Sequence, residues 1–222
     1  MKEDFHADFL ETCRFCNLIN NHNLKGGEQI HIPIYDQILY ETANFFVIPA
    51  LGSFVPGYIM IVSRNHIYSM AYLSNDEIEE LLNLIALLRN TVKEKFSISP
   101  IIFEHGSAIG CFDKAANSVD HAHIHIVPIH ITEETGVLRD ASAFEIPDLK
   151  TIVSFKGEPY FLYVNEKWQH HLSHKTILPS QYMRKCIAKE IGCPLEWDWR
   201  QHEFLDNINT TVNLLSDVLC ER

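Results

Sequence analysis

The segment SVDHAHIHIVPIH, Ser118 to His130, places His121, His123 and His125 at alternate positions, with Ala122, Ile124 and Ile126 between and after them. In a β-strand this spacing puts three imidazoles on one face and the apolar residues on the other, which reads as the core side. Three imidazoles in a row add little to packing and cost desolvation if buried without partners, so the pattern is chemical rather than structural. Two chemistries fit. Alternate histidines on a strand can share one zinc ion. Alternatively, one imidazole is a nucleophile toward phosphorus while its neighbours donate hydrogen bonds to phosphate oxygens. The metal version wants a carboxylate close by, where Ile124, Ile126, Val127 and Pro128 stand. Isolated histidines such as His22, His31 and His202 read as ordinary structural residues.

Other chemistry-bearing types lie apart from the row. Cys13 and Cys16 form a Cys-x-x-Cys pair, which suits a redox site or half a metal site. Glu104 and His105 end an apolar run, PIIFEHG, and read either as pocket-lining residues beside the histidine strand or as an exposed strand end. Gln181, Arg184 and Lys185 fall in the first turns of a helical pattern, where backbone amides and a basic side chain suit an anion; a solvated helical face is the competing reading.

The elements that must position these residues follow from pattern. QILYET and NFFVIPA read as a strand pair, GYIMIVS as a third strand, and Pro56-Gly57 as the turn before it. Ser74 with Glu77 three residues on forms a capping-box signature, and Ile78, Leu81, Leu82, Ile85, Leu88 and Val92 recur on one helical face up to about Phe96. PIIFEHG and HAHIHIVPI complete the strands. Strands around one long helix predict an α+β domain with an antiparallel sheet. Beyond about Asp140 the texture changes to a strand-like EPYFLYV, a helix in SQYMRKCIAKEIG ended by Gly192 and Pro194, and a last helix from about Asp206 to Leu219. Residues 1–140 are thus read as one domain, and residues 141–222 as a mixed, largely helical C-terminal extension packed on it.

Composition bounds the function. The 222 residues are 46% hydrophobic, enough for a packed core, and no apolar run reaches the ~18 residues of a membrane span. A formal charge of −11 with 18 Lys and Arg argues against binding a nucleic acid backbone, though a small anionic ligand needs only a few local donors. The first residues lack the basic and apolar segments of a signal peptide, so a cytoplasmic location with reduced thiols is expected for the six cysteines.

His121-Ala122-His123-Ile124-His125-Ile126-Val127 resembles the motif of the histidine triad (HIT) superfamily. ANSVDH lies where that family has a Gln-Ser/Thr-Val lead-in, and Pro56-Gly57-Tyr58 through IMIVSRNHI resembles its Pro-Gly strand and "IPKxHI" ending. The resemblance covers roughly residues 10–132. It implies a HIT-like antiparallel sheet and a structural zinc on Cys13, Cys16, His66 and His121. It further implies that His123 attacks the α-phosphorus of a nucleotide to give a covalent nucleotidyl-histidine, and that His125, Ser118 and Asn117 contact phosphate or leaving group. Family members commonly pair as homodimers, a surface that the extension could cover instead. The chain departs from the pattern at Val47, Ile48, Pro49 and Ala50, where the family grips ribose, and at Tyr58, where His or Thr often follows Pro-Gly. Three functions stay open: a nucleotidyl hydrolase or transferase, a zinc hydrolase with the row as ligands, and a phosphate-binding protein without turnover.

Overall fold

The computed structural model describes residues 13–23, 32–108, 120–174 and 178–220. Eight strands form one antiparallel sheet: β1 (Tyr40–Glu41), β2 (Phe45–Pro49), β3 (Ile59–Ser63), β4 (Ile101–Gly106), β5 (His123–Val127), β6 (Phe144–Ile146), β7 (Tyr160–Val164) and β8 (His170–Ser173). Their order across the sheet is β1-β2-β3-β5-β4-β7-β8-β6. The helices are α1 (Arg14–Asn23), α2 (Asn75–Phe96), α3 (Glu134–Asp140), α4 (Tyr182–Glu190) and α5 (Leu205–Cys220). The expected α+β fold, antiparallel sheet and long helix are all present.

The long helix starts where the capping box places it. Ser74 Oγ accepts from the Glu77 amide while the Glu77 carboxylate accepts from the Ser74 amide, so two otherwise unpaired donors are satisfied. Its face of Ile78, Leu81, Ile85, Leu88 and Val92 packs with Val47, Ile61, Ile124 and Ile126 from one side of the sheet, joined by Ile208, Val212 and Leu215 of α5.

The other side of the sheet is covered as well. Phe15 and Leu18 from α1, and Met183 and Ile187 from α4, pack on Phe46, Met60, Val62, Phe103 and Phe161. The layering is therefore helix, sheet, helix, and the histidine face is enclosed rather than open. An apolar core on one side only was expected, because α4 lies some 60 residues beyond β5 and only the tertiary fold brings it back.

The extension continues the same sheet. β7 pairs with β4 from Ile102↔Val164 to Gly106↔Tyr160, and β8 and β6 follow outward. β8 was not foreseen, because HHLS reads as polar; His170 and Leu172 are buried on the pleat, and polar residue types masked the alternation. Cys186 and Cys193 are free thiols, as are Cys13 and Cys16.

Candidate functional site: a Cys-His cluster beside a row of histidines

Cys13 precedes α1 and Cys16 lies one turn into it, so their sulfurs share one side of the helix. His66 follows the end of β3, and His121 leads into β5. Those strands are hydrogen-bonded neighbours, with Val62 opposite His123, which brings the two histidines together. Cys13 Sγ is 3.4 Å from His121 Nδ1, and Cys16 Sγ is 3.3 Å from His66 Nδ1 and 3.7 Å from His121 Nδ1. All four donor atoms lie within 4.8 Å of one another, so the cluster can hold a metal ion.

The chemistry of the donors agrees. His121 Nε2 is 2.7 Å from the Ser63 carbonyl, which only accepts, so Nε2 carries the proton and Nδ1 presents its lone pair to the sulfurs. Burial holds His121 down at about 4, against the opposing pull of the Ser63 bond. Among protein atoms alone, burial and the neighbouring Cys13 push the Cys16 thiol up to about 12. A cation that takes Cys16 as a thiolate therefore releases a proton.

The next two histidines are held differently. His123 Nδ1 lies 2.7 Å from the His121 carbonyl oxygen, so Nδ1 carries the proton and Nε2 keeps its lone pair. Burial lowers its pKa, the His121 bond opposes that, and the Arg14 charge lowers it further. The imidazole is thus held neutral, with a free lone pair at Nε2. His125, buried at 7% exposure, stacks on Phe103 with ring centroids 4.4 Å apart and shares a 3.0 Å hydrogen bond with the Tyr58 hydroxyl at Nδ1. The His123 and His125 rings meet edge to face at 4.9 Å, and Phe15 contacts both His121 and His123. The three histidines do not converge on one point. Of the three, only His121 belongs to the metal cluster found among the described residues, which leaves the triad-as-ligands reading without support.

The other candidates separate. His105 joins the triad face, where it stacks on Phe161 and accepts from the Met183 amide at Nε2. Burial, followed by the charge of His123, holds it at about 3. Glu104, its strand neighbour, necessarily points the other way. It accepts from the Met70 amide and the Tyr160 hydroxyl beneath the sheet, away from the triad, so the structure does not bring it to the pocket. Arg184 is buried at 4% exposure, with its guanidinium on the Gly52 and Trp197 carbonyls rather than on a solvated face. Asn117 and Ser118 lie outside the described residues. Tyr58 was noted in the sequence only as a departure from the family pattern; its contact with His125 was not foreseen, though its register offered a signal. It stands one residue before β3, the strand that pairs with β5.

Residues 32–131 match the model of the HIT domain. Among curated proteins, the chain is 27% identical over 176 residues to CWF19-like protein 1 of Xenopus laevis, covering 71% of this chain and 30% of that protein. It is 24% identical over 98 residues to bis(5'-nucleosyl)-tetraphosphatase [asymmetrical] of Schizosaccharomyces pombe, covering 43% of this chain and 50% of the relative. The matched stretch thus spans half or less of the length of these curated relatives. Among solved structures, a zinc-bound histidine triad family protein from Mycobacterium smegmatis is 16% identical with a TM-score of 0.42, over 65% of this chain and 90% of that one.

Proposed function

We propose, from the match of residues 32–131 to the HIT domain model, a nucleotidyl hydrolase or transferase working through a covalent nucleotidyl-His123 intermediate. His123 Nε2 donates its lone pair to the α-phosphorus while the bond from phosphorus to the leaving group breaks. Water or a second acceptor then forms its own bond to phosphorus, and the imidazole leaves with its electron pair restored. His125 donates to a phosphate oxygen as charge develops there, and Ser118 and Asn117 serve the phosphate and the leaving group. His105 forms a neutral wall of the same pocket. The observation that carries this reading is the 2.7 Å contact between His123 Nδ1 and the His121 carbonyl, which supports a fixed tautomer with Nε2 free to attack.

The Cys13, Cys16, His66 and His121 cluster fits zinc. A tetrahedral site with Zn–S near 2.3 Å and Zn–N near 2.05 Å has S···N edges of about 3.6 Å, against 3.3 to 3.7 Å for the three sulfur–nitrogen pairs given above. Four protein ligands make a closed, structural site, and zinc held there ties α1 to the ends of β3 and β5.

The test is product release from nucleoside phosphoramidates, dinucleoside polyphosphates, nucleotide sugars and adenylyl sulfate. The name of the tetraphosphatase relative makes dinucleoside polyphosphates the first class to try. Turnover lost in His123→Ala, with zinc content unchanged, is the expected result. Silence from the wild type across the panel would leave a phosphate-binding role instead.

A further inference from the structure

The turn between β2 and β3, residues 50–58, closes on itself through Ala50 and Ser53 and is tied down from outside by the C-terminal extension. Arg184 in α4 donates to the Gly52 carbonyl, and the Gly52 amide donates to the Glu203 carbonyl. Asn207 in α5 donates from Nδ2 to the carbonyls of Ser53 and Phe54, and Thr211 Oγ1 accepts from the Gly57 amide. Gly52 has φ +75°, and a Cβ there would stand 2.6 Å from the Arg184 guanidinium, so that residue admits the arginine. The guanidinium covers the Phe54 ring at 4.4 Å and lies 6.0 Å from the centre of the Tyr58 ring. At the end of this turn stands Tyr58, fully buried, with its hydroxyl on His125.

A phenol can donate or accept, so its bond to His125 does not alone say which nitrogen of that imidazole bears the proton. Arg184 removes the ambiguity. A guanidinium only donates, so it gives the buried phenol proton nowhere to go, and its charge disfavours an imidazolium next to it. We propose that Tyr58 and Arg184 are positioning residues for His125. Arg184, supplied by the extension, directs the Tyr58 O–H onto His125 Nδ1 and fixes the neutral tautomer with its proton on Nε2. His125 is then a built-in donor beside His123, whose Nε2 is a lone pair. The extension completes the site in cis without contacting substrate.

The surrounding groups agree with a neutral ring. Burial lowers the His125 pKa most, and His123, His105 and Arg184 each push the same way. Burial raises the Tyr58 pKa, opposed by the charge and hydrogen bonding of Arg184, so the phenol keeps its proton.

The inference rests on the proposed chemistry for its kinetic readout alone; the tautomer is read without substrate. The 222-residue chain labelled with 15N at histidine gives two-bond proton–nitrogen correlations that assign each ring. Wild type is expected to show His125 protonated at Nε2 only. Arg184→Gln supplies an amide acceptor that lets the Tyr58 hydroxyl turn away, so a second population protonated at Nδ1 should appear. Tyr58→Phe, which removes only a hydroxyl and spares Arg184, should do the same and decides the matter if Arg184→Gln does not fold. Arg184→Lys, another donor-only cation, should retain the wild-type pattern. A wild-type ring protonated at Nδ1, or doubly protonated at neutral pH, overturns the proposal, as does an unchanged tautomer in both variants. A shift in Tyr58→Phe without one in a folded Arg184→Gln overturns the part assigned to Arg184. On whichever nucleotide the wild type turns over, both variants should lose kcat on the order of tenfold at unchanged KM, less than removal of an oxyanion donor costs.

Discussion

Glu104 and His105 are adjacent on β4, yet they face opposite layers, and burial moves their pKa values in opposite directions, each toward the neutral form. Burial pushes Glu104 from its ordinary 4.5 up to about 7, with the Tyr160 and Met70 bonds pulling the other way. Between those two values the folded chain holds this proton more tightly than the unfolded chain. Stability from this group is full below about pH 4.5, falls as pH rises toward about 7, and is level above that. Glu104→Gln should remove the slope, so its thermal midpoint should gain on wild type across that window; parallel pH profiles for the two proteins would count against it. Cys16→Ser should cost the cluster more than about a hundredfold in zinc affinity, beyond the ~10–100-fold typical of losing a partner of a ligand. Competition with a chromophoric chelator measures it.

The long helix packs on the central strand, and each offers a test of stability at one residue. Ser74 supplies one of the two capping-box bonds of α2, and Ser74→Ala should cost about 1 kcal/mol, read as a lower urea midpoint at unchanged slope. Ile124 is wholly buried between His123 and His125, on the face opposite theirs. Ile124→Ala should cost about 2–5 kcal/mol by leaving a cavity under α2. A smaller loss would mean that the sheet closes over the space.

At the scale of the molecule, the sheet crosses from the first 140 residues into the extension without a break. β7 occupies the edge of β4, so no second copy can pair with that strand. Residues 1–140 alone would expose β4 as an unprotected edge, and are expected to self-associate in sedimentation while the full chain does not. A soluble, monodisperse fragment would show that the extension is dispensable for folding. No helix among the described residues is long and apolar enough to cross a membrane.

Local features are legible in the sequence alone. Alternation places the three histidines on one face, the capping box sets the start of α2, and the resemblance points to Cys13, Cys16, His66 and His121 as a cluster. These are short-range patterns or motif matches, and both are carried by residue type and spacing. What depends on contacts between residues far apart in the chain is set by the folded arrangement. It separated Glu104 from His105, because neighbours on a strand face opposite sides, and it turned a polar stretch into β8. It also drew Arg184 from a helical pattern near residue 184 onto the turn at Gly52 and so to Tyr58 and His125. No periodicity in either segment records that pairing, because it is made by how α4 packs across the sheet.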